Sequence, residues 1–158
     1  AWMCAPIDAL EMSAVAHDIR EVAGPEDVAA YGEAFVRGWD ISERALASRV
    51  ALAAMAPWPG PEAWRRYTAF VGGEPAGEAL LTRFGEVAYL AEASTVPRFR
   101  RRGIQRALIT RRVADARAEG TTTVFGSVQY GDQSWANMRA MGLRETFMTV
   151  SFRRARKS

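Results

Sequence analysis

The chain has 158 residues, 49% hydrophobic and 25% charged, the proportions of one globular domain large enough to bury a real core. Its net charge is only +3, and it holds one cysteine and one histidine, Cys4 and His17; these counts exclude a uniformly basic protein and an intramolecular disulfide, and argue against a Cys/His zinc site or any other metal site. No apolar run approaches the roughly 20 residues of a membrane span, and the N-terminus lacks the basic start and long apolar centre of a signal peptide, so a cytoplasmic, reduced protein with no membrane partner is expected.

Taken in chain order, Asp18 to Val22 alternates apolar and polar residues and predicts a strand. Pro25, Glu26 and Asp27 then suit a helix N-terminus, and Val28, Tyr31, Phe35 and Trp39 fall on one helical face. Ser42 predicts the cap of a second helix striped by Leu46, Val50 and Ala53, ended by the loop Pro57 to Pro61. From Trp64 the period changes to two. Three strands follow, to Val71, to about Phe84 and from Val87 to about Thr95, separated by "GGEP" and "GE" turns: an antiparallel meander. A helix spans about Gly103 to Glu119, with Ile104, Leu108, Ile109, Val113 and Ala116 as its apolar face and Gly120 as its stop. Thr122 to Val128 predicts a strand, Ser134 to Met141 a short helix stopped by Gly142, and Met148, Val150 and Phe152 a last strand. The fold class is α/β (α+β), in the order β-α-α-β-β-β-α-β-α-β, with a mixed, mostly antiparallel sheet.

The stretch "RFRRRGIQRAL" carries five arginines between Arg98 and Arg106, interrupted by Gly103. It joins a strand end to a helix start. A helix N-terminus exposes unpaired N–H groups and the positive end of the helix dipole, and anions bind there. Glycine lets the backbone approach a ligand without a Cβ in the way, and arginines add charge-assisted hydrogen bonds to phosphate oxygens. The phosphate loop with its lysine and the three-glycine dinucleotide fingerprint are both absent. A nucleic-acid surface is disfavoured, because aromatic residues are not interleaved with the arginines apart from Phe99.

"TVPRFRRRGIQRAL" resembles the acetyl-CoA motif of the GCN5-related N-acetyltransferase (GNAT) superfamily, an Arg/Gln-x-x-Gly-x-Gly/Ala turn after a strand end and a proline. Arg100 matches its first position and Gly103 its central glycine. Gln105 departs from the final Gly/Ala, a change compatible with backbone recognition if its side chain points away. "SWANMRAMGL" resembles the family's second CoA-facing helix, with Leu143 in place of an aromatic residue. The likeness covers about residues 18–153 as one GNAT domain, followed by a basic tail at 154–158. It implies acetyl-CoA as cosubstrate, with no metal. It further implies that Ala93, Ser94 and Thr95 pair with the pantetheine arm, that the segment Arg100, Arg101, Arg102, Gly103, Ile104, Gln105 and Arg106 holds the pyrophosphate, and that Asn137 hydrogen-bonds the cofactor from the other side. Ser94, Thr95 and Asn137 also have plain readings as strand and surface-helix residues.

Direct transfer of an acetyl group to an amine of a small molecule or a protein needs the amine to lose a proton. Glu92 is the candidate base, with Glu78 on the neighbouring strand. Period-two alternation sets Glu92 on the face opposite Ala93 and Thr95 unless a bulge intervenes. In many relatives a tyrosine protonates the departing thiolate; Met138 stands there and cannot donate, which leaves Tyr130 and Ser134 as candidate acids. The alternative function is a GNAT-like module that binds or senses CoA without turnover. Specificity would reside in the first two helices and their loops, where Trp39, Trp58 and Trp64 are either pocket walls or packing anchors. Residues 1–17 form an apolar extension that such a domain does not require: the end of an upstream region, an added edge strand or the contact of a homodimer.

Overall fold

The computed structural model describes residues 1–12, 17–41 and 64–152. Its elements are β1 (Trp2–Pro6), β2 (Asp18–Glu21), α1 (Pro25–Gly38), β3 (Trp64–Val71), β4 (Glu74–Phe84), β5 (Val87–Thr95), α2 (Ile104–Ala118), β6 (Thr123–Ser127), α3 (Gln133–Ala140) and β7 (Arg144–Phe147), with short 3-10 turns at Ile7–Ala9 and Pro97–Phe99. The expected second helix at Ser42, Leu46, Val50 and Ala53, the loop after it and Trp58 lie outside the described residues.

The strands form one mixed sheet in the order β2-β3-β4-β5-β6-β1-β7. All neighbours are antiparallel except β5 and β6. Helices cover both faces, as successive residues of β4 demonstrate. A Cβ built on Gly77 would meet Ile104 and Leu108 of α2 at 3.0 and 3.5 Å, whereas Glu78 reaches the other way, to Trp39 at the end of α1. β4 is thus covered on both sides, which is why it is buried nearly throughout. The apolar stripe of α2 (Ile104, Leu108, Ile109, Val113, Ala116) is fully buried, as its spacing predicts.

The N-terminal segment is the main departure from the expected order. Residues 2–6 are an interior strand, inserted between β6 and β7, with Met3 and Ala5 in the core. They are therefore not an added edge. The Ala1 nitrogen donates to the Val128 carbonyl at 2.6 Å, and the Ile7 N–H donates to the Thr122 carbonyl at 2.8 Å, so β6 holds β1 at both ends. On the exposed side, the Trp2 ring stacks on Phe147 and Phe125 at 5.4 and 6.1 Å.

The last strand also differs. It is Arg144–Phe147, and Met148, Val150 and Phe152 are exposed beyond it. The register explains this: β7 runs antiparallel to β1 and reaches Trp2 at Phe147. The ladder ends there, and the described residues beyond Phe147 pair with no strand.

Candidate active site

The site begins where two parallel strands part. β5 and β6 pair from Val87↔Thr123 to Leu90↔Gly126, and no further. On its other side β5 stays paired with β4 as far as Gly77↔Thr95. The end of β5 therefore has one free backbone edge, at Ala93, Ser94 and Thr95, and these residues line a cavity of about 790 Å³. A bulge accompanies the divergence: Ala79 faces Ala93 while Leu81 faces Leu90, three steps on β5 against two on β4. Arg112 of α2, fully buried, stabilises it. Its Nη1 donates to the carbonyls of Leu80 and Ala91 at 2.9 and 3.2 Å, and its Nε to Leu108 at 3.1 Å. Burial pushes the Arg112 pKa down to about 10, against the pull of the Glu78 charge. Sequence pattern alone assigns Arg112 no role. An arginine within the apolar face of a helix was the available signal.

The turn before α2 forms the next wall. Arg101 has φ +63° and Gly103 φ +80°, both left-handed, a conformation that glycine adopts without steric cost. The arginines divide into two sets. Arg98 is exposed and ion-paired with Glu74. Arg100 donates to the carbonyls of Thr95 (3.2 Å) and Gly38 (3.3 Å), tying β5 to the end of α1. Arg102 lies over the Phe99 ring at 5.5 Å and does not line the cavity. Arg101 and Arg106 do line it, and neither has an ion pair or side-chain hydrogen bond among the described residues. Two uncommitted cations therefore stand beside the N-terminal amides of α2, which suits an anion.

α3 closes the opposite side. Asp132 caps it, accepting from the Trp135 N–H at 2.7 Å. Ser134 and Asn137 face the cavity. The Gln105 side chain does not point away as expected: its amide donates to Ser134 Oγ, and its carbonyl accepts from Asn137 Nδ2. The reason is proximity, since α3 places two hydrogen-bonding side chains opposite that position. Met138 is buried, and a Cβ on Gly126 would lie 2.9 Å from its Cε, so it fills the space left by that glycine.

Behind the cavity wall sits Glu78, fully buried. Trp39 Nε1 donates to its Oε1 at 3.1 Å. The hydroxyls of Ser94, its cross-strand neighbour, and of Tyr31 also stand against this carboxyl. Burial pushes the Glu78 pKa up to about 7, with the Glu92 charge adding to the rise and Ser94, Trp39 and Tyr31 opposing it. Trp39 and Ser94 both line the cavity, so this carboxyl lies one side chain behind it. α1 packs closely here: a Cβ on Gly38 would fall 1.9 Å from Ser94 Oγ.

Of the sequence-predicted residues, Ala93, Ser94, Thr95, Arg100, Arg101, Gly103, Ile104, Gln105, Arg106, Ser134 and Asn137 meet around one cavity. Arg102, Glu92 and Tyr130 do not line it. Glu92 is exposed, within electrostatic reach of Glu78 and Tyr31. Tyr130 is exposed, its ring 5.1 Å from that of Trp135. Among the described residues, no group of three or more His, Cys, Asp or Glu side chains could hold a metal ion, and no helix is long and apolar enough to cross a membrane.

Comparison with known proteins shows the family and the fold. Residues 9–131 match the family profile described as acetyltransferase (GNAT) domain. No curated protein matches the chain. Among solved structures, the chain is similar to a functionally unknown conserved protein from Staphylococcus epidermidis (TM-score 0.71, 14% identity, covering 90% of this chain and 56% of that one). It is also similar to the aminoglycoside acetyltransferase AAC(6')-Iy in complex with a CoA bisubstrate analogue (TM-score 0.64, 18% identity, 88% and 98% covered). A third similar structure is a ribosomal-protein alanine N-acetyltransferase from Escherichia coli (TM-score 0.63, 19% identity, 83% and 79% covered). At such identities the likeness is one of fold. The chain spans little more than half the length of the Staphylococcus protein, at 56%.

Proposed function

The chain belongs to the GNAT acetyltransferase family, whose chemistry is acyl transfer, and on that premise we propose that it uses acetyl-CoA to acetylate an amine of a small molecule or a protein. The observation that carries the reading is the cavity itself: a free β5 edge, the N-terminal amides of α2 and two uncommitted arginines around one space of about 790 Å³. These groups fit the cofactor's parts. The backbone of Ala93 to Thr95 pairs with the pantetheine amides. The α2 amides, Arg101 and Arg106 hold the pyrophosphate, and Asn137 contributes from α3.

Acetyl-CoA supplies an activated acetyl group when bound. The residues of the chain orient the acceptor and manage its protons. Glu92, at the surface of β5, takes the amine proton, with Glu78 behind it as a second carboxyl. The Glu92 charge adds to the rise of the Glu78 pKa, which equips Glu78 to hold a proton near neutral pH. Of the two candidate acids, Ser134 faces the cavity. Gln105 donates to its Oγ, which leaves the hydroxyl proton free for the departing thiolate.

Titration with acetyl-CoA, followed by a thiol-release assay over a panel of small amines and peptides, tests the reading. Binding with amine-dependent thiol release is expected. Binding without release for any acceptor would favour a CoA-binding module without turnover.

A further inference from the structure

The chain holds one histidine, outside the cavity. His17, immediately before β2, sends its Nε2 to the carbonyl of Arg102, 2.7 Å away and 85 positions along the chain. A carbonyl can only accept, so Nε2 carries the proton and donates. The same ring nitrogen lies 3.7 Å from where a Cβ of Gly103 would be. His17 thus sits against the outer side of the turn.

The peptide group links that contact to the cavity. In a planar trans peptide the C=O of Arg102 and the N–H of Gly103 point in opposite directions. Gly103 lines the cavity, whereas His17 and Arg102 do not. A hydrogen bond that holds the Arg102 carbonyl outward therefore directs the Gly103 N–H inward. The turn needs such a hold, because it is built from left-handed residues, Arg101 (φ +63°) and Gly103 (φ +80°), one of them not glycine. Strain of this kind persists only where surrounding contacts impose it. The other side-chain contacts of the segment among the described residues lie elsewhere: Arg98 pairs with Glu74, the Arg100 side chain reaches Thr95 and Gly38, and the Arg102 guanidinium lies over Phe99.

We propose that His17 is a positioning residue for the cofactor cradle, fixing the Arg102–Gly103 peptide so that the Gly103 amide faces the pyrophosphate of CoA. The inference rests on the cofactor reading above, and goes beyond it by assigning a role to a residue outside the cavity. It also couples the segment before β2 to cofactor affinity.

The test is calorimetric titration of CoA into wild type, His17→Ala and His17→Gln, with the melting temperature of each unliganded protein measured alongside. Glutamine retains an N–H donor at similar reach; alanine does not. Without the bond the peptide is free to turn, and returning it on binding costs about one net hydrogen bond, which predicts CoA affinity lowered about 3- to 10-fold in His17→Ala and substantial recovery in His17→Gln. A residue that only stabilised the fold would shift melting and leave the affinity of the folded protein unchanged. CoA affinity equal to wild type in His17→Ala, or equally weak in both variants, overturns the proposal. Absence of CoA binding by wild type overturns the cofactor reading itself, and this inference with it.

Discussion

The two ends of α2 handle charge in opposite ways. At the C-terminal end every ionic group has a partner. Arg65 pairs with Glu21, Asp115 and Glu119 at 2.5, 3.2 and 2.6 Å, Arg83 with Glu119 at 2.7 Å, and Arg111 with Asp115 at 3.0 Å. Tyr67 adds its hydroxyl to Asp115 at 2.8 Å. Around the N-terminal end, Arg101 and Arg106 face a cavity without ion-pair partners among the described residues, and Glu78 is a fully buried carboxyl with no ion pair among them. Burying an unpaired carboxyl such as Glu78 costs stability, whereas Arg101 and Arg106 are exposed and solvated until an anion arrives. The contrast separates charge that holds the fold together from charge arranged for a ligand and a reaction.

The largest effect that sharpens this comparison belongs to Glu78. If it shares the proton taken from the acceptor, Glu78→Gln lowers turnover by about 10²–10⁴-fold and leaves CoA affinity near the wild-type value. The thiol-release assay and a CoA titration read the two quantities separately. The same substitution alters the dependence of stability on pH. The folded pKa of Glu78, about 7, lies above its ordinary value of 4.5. The folded protein therefore keeps a proton that the unfolded chain releases between those values. Wild-type stability falls as pH rises through that window, by roughly 3 kcal/mol in all, and is retained below it. Glu78→Gln removes this component. Its melting temperature relative to wild type rises between pH 4.5 and 7, and the difference is then constant.

Next comes Gly103→Val. A β-branched residue at φ +80° is strained by about 1–3 kcal/mol, and relief of that strain turns the cradle amides away. CoA affinity is expected to fall by roughly tenfold or more. At the paired end, Arg65→Ala is expected to lower the melting temperature by roughly 3–6 °C with no change in CoA binding. Smallest is Arg98→Ala. Its ion pair with Glu74 is more than half exposed on both sides, so neither titration nor melting is expected to change measurably.

The cradle was legible in the sequence because local chemistry specifies it. Gly103, the arginines and the start of an apolar helical stripe lie within a few residues of one another, and Ser134 and Asn137 recur on a second short helix. The hidden features depend on distant parts of the chain. Glu78 reads as an ordinary strand glutamate until α1 closes over it through Trp39. Arg112 reads as a polar residue on an apolar face until the β5 bulge offers it two carbonyls. The bulge itself shifts the period of β5 between Leu90 and Ala93, which alternation alone could not locate. β1 has an apolar pattern like many segments, and only pairing with β6 and β7, more than a hundred positions away, makes it an interior strand. For the same reason the alternating Met148, Val150 and Phe152 looked like a strand: period is local, whereas a ladder needs a partner.

The central claim is that the charge left unpaired at the start of α2 is there for CoA. The most direct measurement is calorimetric titration of CoA into wild type and the double variant Arg101→Ala/Arg106→Ala, with Arg65→Ala as the control from the paired end. Hydrogen bonds to charged groups contribute about 1.5–3 kcal/mol each. The account predicts one-to-one binding by wild type and Arg65→Ala, and a loss of at least about 100-fold in the double variant. Wild-type affinity in the double variant, or a loss in Arg65→Ala as large as in the double variant, would contradict it.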